Sequence, residues 1–341
     1  MGAVVLTQPV DAVTLSPTVA RVARLTRRRL AFALPLVVAI SAVTFALAWA
    51  SPFDPVDGYL GDRGDGYTDV QREELRTRLG LDEGWASAWW HWLGGLLHGD
   101  LGFSRAYHEP VTQVLSERFG WSMLLGVAGG GVAIVVALVL GIAAGIDRGG
   151  PVDRAIGAVA VLLQSLPPFV LPLGSILLIS TVGLTLPVSG VSEPGADPTV
   201  ASAAGHLVVP ALALGLSQTP WLIQGLRESM VRAASTDAVA GARARGLPRR
   251  AIEFGHVLPA AIAPFLALAG GRMPELLVGA TVVETVFAWP GLGEATVESA
   301  RALDFPMLAV IAVSSTAVVL MGNLAADAAA VAIDPRIADD G

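Results

Sequence analysis

The sequence predicts an all-α integral membrane protein with six transmembrane helices, both termini cytoplasmic, and an extracytoplasmic segment between spans one and two. Three observations carry this. Of 341 residues, 53% are hydrophobic and only 15% charged, outside ordinary globular usage. Six apolar runs are long enough to be read as spans of roughly 20 residues. The arginines concentrate in alternate connections, which orients the chain.

The first span, residues 30–50, is uncharged and follows Arg21, Arg24, Arg27, Arg28 and Arg29. That N-terminal tail, residues 1–29, faintly resembles a twin-arginine export signal, and Ala48-Trp49-Ala50 mimics a cleavage site. The run exceeds a signal core, so it is read as a retained span. Residues 51–120 form the sizeable polar segment. Their six arginines are outnumbered by acids, and long translocated loops escape the positive-inside rule. Thr68 and Gln71 have the spacing of a capping box, predicting a helix over 69–79 stopped by Gly80. Trp85, Trp89 and Trp92 share one helical face and predict a helix lying on the outer membrane surface, with a ligand-stacking platform as the alternative. His91, His98 and His108 lack a metal-site spacing and read as solvated or hydrogen-bonded side chains.

The second span, 121–146, carries Gly126/Gly130 and Gly141/Gly145, spacings that let helices approach closely. The third, 155–186, is interrupted by Pro167, Pro168 and Pro172 and predicts a kinked span with a short exit. Spans 201–225, 258–283 and 305–324 follow. The fifth contains Arg272 and Glu275, three apart, placed to pair on one helix well inside the bilayer. They read either as a site for a substrate carboxylate or as a structural ion pair. Arg148 and Arg154 lie between spans two and three; Arg227, Arg232, Arg243, Arg245, Arg249 and Arg250 lie between four and five.

Chemistry is bounded by what is missing. No cysteine means no disulfide or thiolate metal site, and all 22 basic residues are arginine. Without lysine there is no P-loop lysine and no Schiff base, so ATP-dependent work needs another polypeptide. The histidines lie outside the spans or at their edges, and no carboxylates pair at one depth within a span, so the constellation of an acid–base enzyme is not visible. Neither a metal site nor nucleic-acid binding is expected.

The stretch AGARARGLPRRAIEFGHVLP, 240–259, places a basic helix–turn–helix between spans four and five. Ser235, Thr236 or Asp237 suits its N-cap, Gly246 its turn, and Pro248 the first turn of the second helix. That shape suits a rigid knob seated in another protein's groove. The plainer reading is a loop that only orients the topology.

This stretch resembles the cytoplasmic motif of bacterial ABC importer permeases: E-A-A, three residues, G, nine residues, I-x-L-P. Here Ala240-Gly241-Ala242, Gly246 and His256-Val257-Leu258-Pro259 keep every spacing. Ala240 replaces the Glu, Gly241 the first Ala, and His256 the Ile, as is usual in the dipeptide/oligopeptide/nickel branch. Gly99-Asp100-Leu101-Gly102-Phe103-Ser104, Leu186-Pro187-Val188-Ser189-Gly190, Arg227-Glu228-Ser229-Met230 and the run from Val283 through Glu284 to Gly293 look like its B-type subunit. The resemblance covers about residues 27–335.

It implies a type I ABC importer permease fold in the bacterial cytoplasmic membrane. Residues 30–118 would be the first helix and extracytoplasmic segment, 119–335 the permease domain with coupling helices at 235–257, and 336–341 a C-terminal tail. It implies a second homologous permease, two ABC ATPase subunits holding ATP-Mg, and an extracytoplasmic solute-binding protein as partners, beside membrane lipids. This chain would bind no cofactor and hydrolyse nothing. Asp237, Ala242, Arg243, Arg245, Gly246, Pro248, Arg249 and His256 would couple to the ATPase. Candidates for the substrate pathway are Gln164, Ser165, Ser217 and Gln218 beside proline breaks, together with Arg272, Glu275 and Glu284. The alternative function is an ion-coupled secondary transporter, which leaves the basic hairpin without a role.

Overall fold

A computed structural model describes residues 17–60, 66–78 and 84–333. Helix α1 (Pro17–Trp49) contains the first apolar run. Three short helices follow: α2 (Pro55–Leu60), α3 (Asp69–Arg78) and α4 (Trp85–Leu97). The capping box of α3 forms as the spacing predicts. Thr68 N–H donates to Gln71 Oε1 (2.9 Å), and Gln71 N–H to Thr68 Oγ1 (3.4 Å). Gly80, the expected stop, lies outside the described residues.

The tryptophan helix differs from expectation. Trp89 and Trp92 are buried against α1 rather than turned to the membrane surface. Trp89 Nε1 donates to Ser41 Oγ (3.1 Å) and Trp92 Nε1 to the Leu101 carbonyl (3.2 Å). An indole is buried readily once its N–H finds an acceptor. Trp85 and Trp90 remain exposed. His98 Nδ1 contacts the Gly94 carbonyl at 2.8 Å, a hydrogen-bonded histidine as expected.

A two-stranded hairpin, β1 (Phe103–Ser104) and β2 (Glu109–Pro110), leads into α5 (Val111–Ile146). Then come α6 (Pro151–Gln164), α7 (Val170–Val182) and α8 (Val200–Ala234). Beyond them lie α9 (Asp237–Ala244), α10 (Arg249–Ile252), a π-turn (Glu253–Val257) and α11 (Leu258–Gly271). The chain closes with α12 (Met273–Phe287), α13 (Leu292–Arg301) and α14 (Phe305–Ile333).

Among the described residues, five helical segments are long and apolar enough to cross a membrane, or six if α12 and α13, bent by 81°, form one broken span. Two expected spans are split. The third run divides into α6 and α7, neither long enough alone, because Pro167 and Pro168 cannot donate to a helix ladder. The fifth divides at Arg272, where Gly270-Gly271 ends α11 and Pro274 occupies the first turn of α12. Its second half runs on to Phe287, past the expected end at residue 283.

Helices α5 and α8 form the most extensive pair. Small residues set their closeness, since in lipid packing rather than water exclusion drives association. A Cβ on Gly141 would sit 3.0 Å from Leu226, and one on Gly145 2.5 Å from Met230 Sδ, as their spacing predicts. Further along, Gly129 rather than Gly126 makes the approach: its Cβ would lie 2.6 Å from Leu214 Cδ2, whereas one on Gly126 meets nothing within 4 Å. Gly130 faces Leu276 of α12 instead. Gly129→Val should therefore cost about 1–3 kcal/mol by overpacking. Its thermal midpoint in detergent should fall below that of Gly126→Val, and equal midpoints would contradict this packing.

Candidate functional site

Three polar constructions punctuate this apolar frame. The first is the basic hairpin. Only Ser235 and Thr236 separate α8 from α9, and their hydroxyls look back rather than forward. Ser235 Oγ donates to the Arg232 carbonyl (2.7 Å) and Thr236 Oγ1 to that of Ala233 (2.8 Å). Thr236 thus holds the N-cap position without a side-chain cap bond, because its hydroxyl satisfies the end of α8. Asp237 is exposed in the first turn, where a negative charge suits the helix dipole.

On the inner side Val239 and Ala242 are buried among Leu226, Met230 and Ile252. The helix ends in a Schellman turn: Gly246 N–H donates to the Arg243 carbonyl (2.9 Å) and Leu247 N–H to that of Ala242 (3.3 Å). Gly246 sits at φ +75°, the left-handed region where glycine is at ease. Pro248 is the N-cap of α10, one position ahead of the expected first turn. The helix then passes through the π-turn, where Leu258 N–H reaches back to Glu253, and continues as α11 with Pro259 accommodated. His256 is half-buried in that turn.

Arg243, Arg245 and Arg249 face outward. A cleft of about 440 Å³ beside them is lined by Arg148, Arg243, Leu247, Arg249 and Glu253. Arg148 Nη2 donates to buried Glu253 (2.7 Å), and Arg249 Nη2 to the Ile146 carbonyl (2.5 Å), tying the hairpin to the end of α5. Nearby, ahead of the third apolar run, buried Asp153 receives Arg227 through Nε (2.5 Å) and Nη2 (2.7 Å). That forked bond from Arg227 holds the Asp153 carboxyl below the usual carboxylate range.

The second construction lies at the break between α11 and α12. Arg272 does not lie within one helix, as its spacing to Glu275 suggested. It ends α11 and caps α12, and from that break Nη1 donates to Glu275 Oε1 at 3.1 Å. Its guanidinium also lies 4.8 Å from the ring centroid of Trp221 on α8, a contact the sequence did not reveal. Gln218 and Arg272 line one cavity of about 30 Å³. Ser217 Oγ donates to the Leu214 carbonyl (2.7 Å) and receives Gln218 Nε2 (3.1 Å). The fold thus gathers Ser217, Gln218, Arg272 and Glu275 around one helix break. Gln164 and Ser165 end α6, and Ser165 Oγ donates to the Val161 carbonyl (2.8 Å), satisfying a helix end.

The third construction encloses Glu284, which is fully buried. Ser122 Oγ donates to Oε1 (2.6 Å) and Gly293 N–H to Oε2 (2.5 Å), while Ser122 Oγ receives Leu292 N–H (2.7 Å). Trp289 Nε1 donates to the Trp121 carbonyl (3.0 Å). Glu284 therefore clasps the start of α13 to α5, and its contacts are those of a turn rather than of an open cavity. Asp304, unremarked in the sequence, plays a parallel part. Fully buried at the start of α14, it accepts Ser104 Oγ (2.5 Å), Arg105 N–H (2.7 Å) and Ala106 N–H (3.1 Å) from the small hairpin.

A polytopic helical protein with a basic hairpin between two of its long apolar helices and a polar break between two others has the organisation of a transport permease. Comparisons with known proteins agree. Residues 137–339 match the family described as binding-protein-dependent transport system inner membrane component, and residues 22–125 match the N-terminal region of such membrane components. The chain is 30% identical to a dipeptide transport system permease protein of Escherichia coli strain K12, covering 91% of this chain and 97% of that one. It is 30% identical to a glutathione transport system permease protein of Pectobacterium atrosepticum, with the same coverage. It is 27% identical to an oligopeptide transport system permease protein of Bacillus subtilis, covering 91% and 98%. The chain belongs to the binding-protein-dependent transport system inner membrane component family. It is a multi-pass inner-membrane permease of the ABC transporter type, a non-catalytic component of its transport system.

Proposed function

We propose that this chain is the permease subunit of an ATP-driven importer and forms half of the pathway for peptides or a related small solute. It works beside a second homologous permease, two ABC ATPase subunits that hold ATP-Mg, and an extracytoplasmic binding protein. Both termini and the α9–α10 hairpin face the cytoplasm. ATP binding favours one of two arrangements of the ATPases, and the hairpin transmits that preference to the spans.

The observation that carries this reading is the hairpin's construction. Its inner face is anchored by Val239 and Ala242, while Arg243 and Arg245 are exposed on a turn fixed by Gly246. A surface loop that only oriented the topology would need the charges but not the fixed turn. Reversing both charges, Arg243→Glu with Arg245→Glu, should strip the ATPase from the subunit during co-purification and abolish ATP-driven uptake. Uptake by the chain reconstituted without any ATPase would overturn the reading.

A further inference from the structure

We propose that the Arg272–Glu275 pair is a receiving site for a zwitterionic solute, resting on the importer reading above. The carboxylate of the solute takes Arg272, its ammonium takes Glu275, and the internal ion pair opens to admit both.

Position is the first argument. The pair stands at the break where the apolar helix α11 ends and the apolar helix α12 begins. An ionisable pair set in an apolar frame is costly unless it serves a cavity or a partner.

The second argument is how the pair is held. The guanidinium rests on the Trp221 ring and, among the described residues, makes one hydrogen bond, from Nη1 to Glu275. The rest of its donor fork is available to a second carboxylate. Side-chain exposures of 24% for Arg272 and 46% for Glu275 leave both within reach of a ligand. Glu275 lies in the first turn of α12, where the helix dipole supports its charge. Gln218 borders the same cavity as Arg272. On α14, Asn323 packs at Gly270 beside the break, and its Oδ1 is buried with no partner among the described residues.

The third argument is charge balance. A lone anion at Arg272 would strand Glu275 without a cation, and a lone cation would strand Arg272. A ligand that takes one member and strands the other gives up the attraction the pair already has. A molecule carrying both charges replaces one ion pair with two and strands neither. The site therefore selects solutes with a free amino and a free carboxyl end.

The test is equilibrium binding of labelled dialanine to the detergent-purified permease–ATPase complex without its binding protein, so that the latter's selectivity does not enter. Dialanine amide and N-acetyl-dialanine serve as competitors. The wild type should favour dialanine over either by at least about tenfold. Arg272→Gln should make dialanine and its amide equal, while Arg272→Lys, which keeps the charge, should preserve the preference. Glu275→Gln should instead equalise dialanine and its N-acetyl form. No saturable binding by the wild type, indifference to the end groups, or the same loss for all three ligands in both variants overturns the inference. ATP dependence of dialanine uptake in vesicles tests the importer reading separately, so either can fail alone.

Discussion

A Gly246→Val subunit should reach the membrane in normal amount and yet support no substrate-stimulated ATP turnover. The cause is conformational. A Cβ at this position meets nothing within 4 Å, so no neighbour is struck. At φ +75°, however, an L-residue costs about 1–2 kcal/mol, and a β-branched one more. The turn would relax out of the left-handed region, and with it the bonds from Gly246 to Arg243 and from Leu247 to Ala242. The exposed arginines would then no longer be held at a fixed angle to α8. Helices α5, α8 and α11 would still pack, because their contacts lie away from the turn. Gly246→Asn, which tolerates this φ, should retain most activity and Gly246→Ala an intermediate share. Normal uptake by the valine variant would refute the docking assignment.

Glu284→Ala should have the largest effect on stability. The substitution removes the acceptor of two short hydrogen bonds and leaves the Gly293 N–H buried without a partner. Each such loss is worth about 1–3 kcal/mol, so a total on the order of 3 kcal/mol is expected. The carboxyl also fills its space closely: a Cβ on Gly291 would stand 2.3 Å from it. The thermal midpoint of the detergent-purified subunit should drop by many degrees. Glu284→Gln, which keeps the shape and one acceptor oxygen, should fall between. An unchanged midpoint for the alanine variant would show that the clasp contributes nothing.

Much of the architecture was legible because it depends on local pattern. Length and hydropathy located the apolar runs, and Gly246 with Pro248 located the hairpin turn. What could not be read was tertiary. Ser122 and Glu284 are 162 residues apart, Ser104 and Asp304 are 200 apart, and no periodicity links them. The stretches holding Glu284 and Ser104 did stand out through a family resemblance, but their partners did not. Asp304 had a local signal: an aspartate just before Phe305 and Pro306 is an N-cap pattern. The break beside Gln164 was announced by Pro167 and Pro168, although as a kink rather than as two separate helices. The break at Arg272 was obscured for a different reason: long apolar stretches flank it on both sides, so a hydropathy reading sees one span where backbone chemistry makes two pieces.

The π-turn at Glu253–Val257 carries one residue more than an α-helical turn would need. That surplus sets the azimuth of the arginines about the axis of the membrane rod to which they are joined. Shortening the turn by a single residue would leave a continuous helix, but the basic face would be rotated by about 100°. The length of this turn therefore matters more to where the arginines point than its composition does.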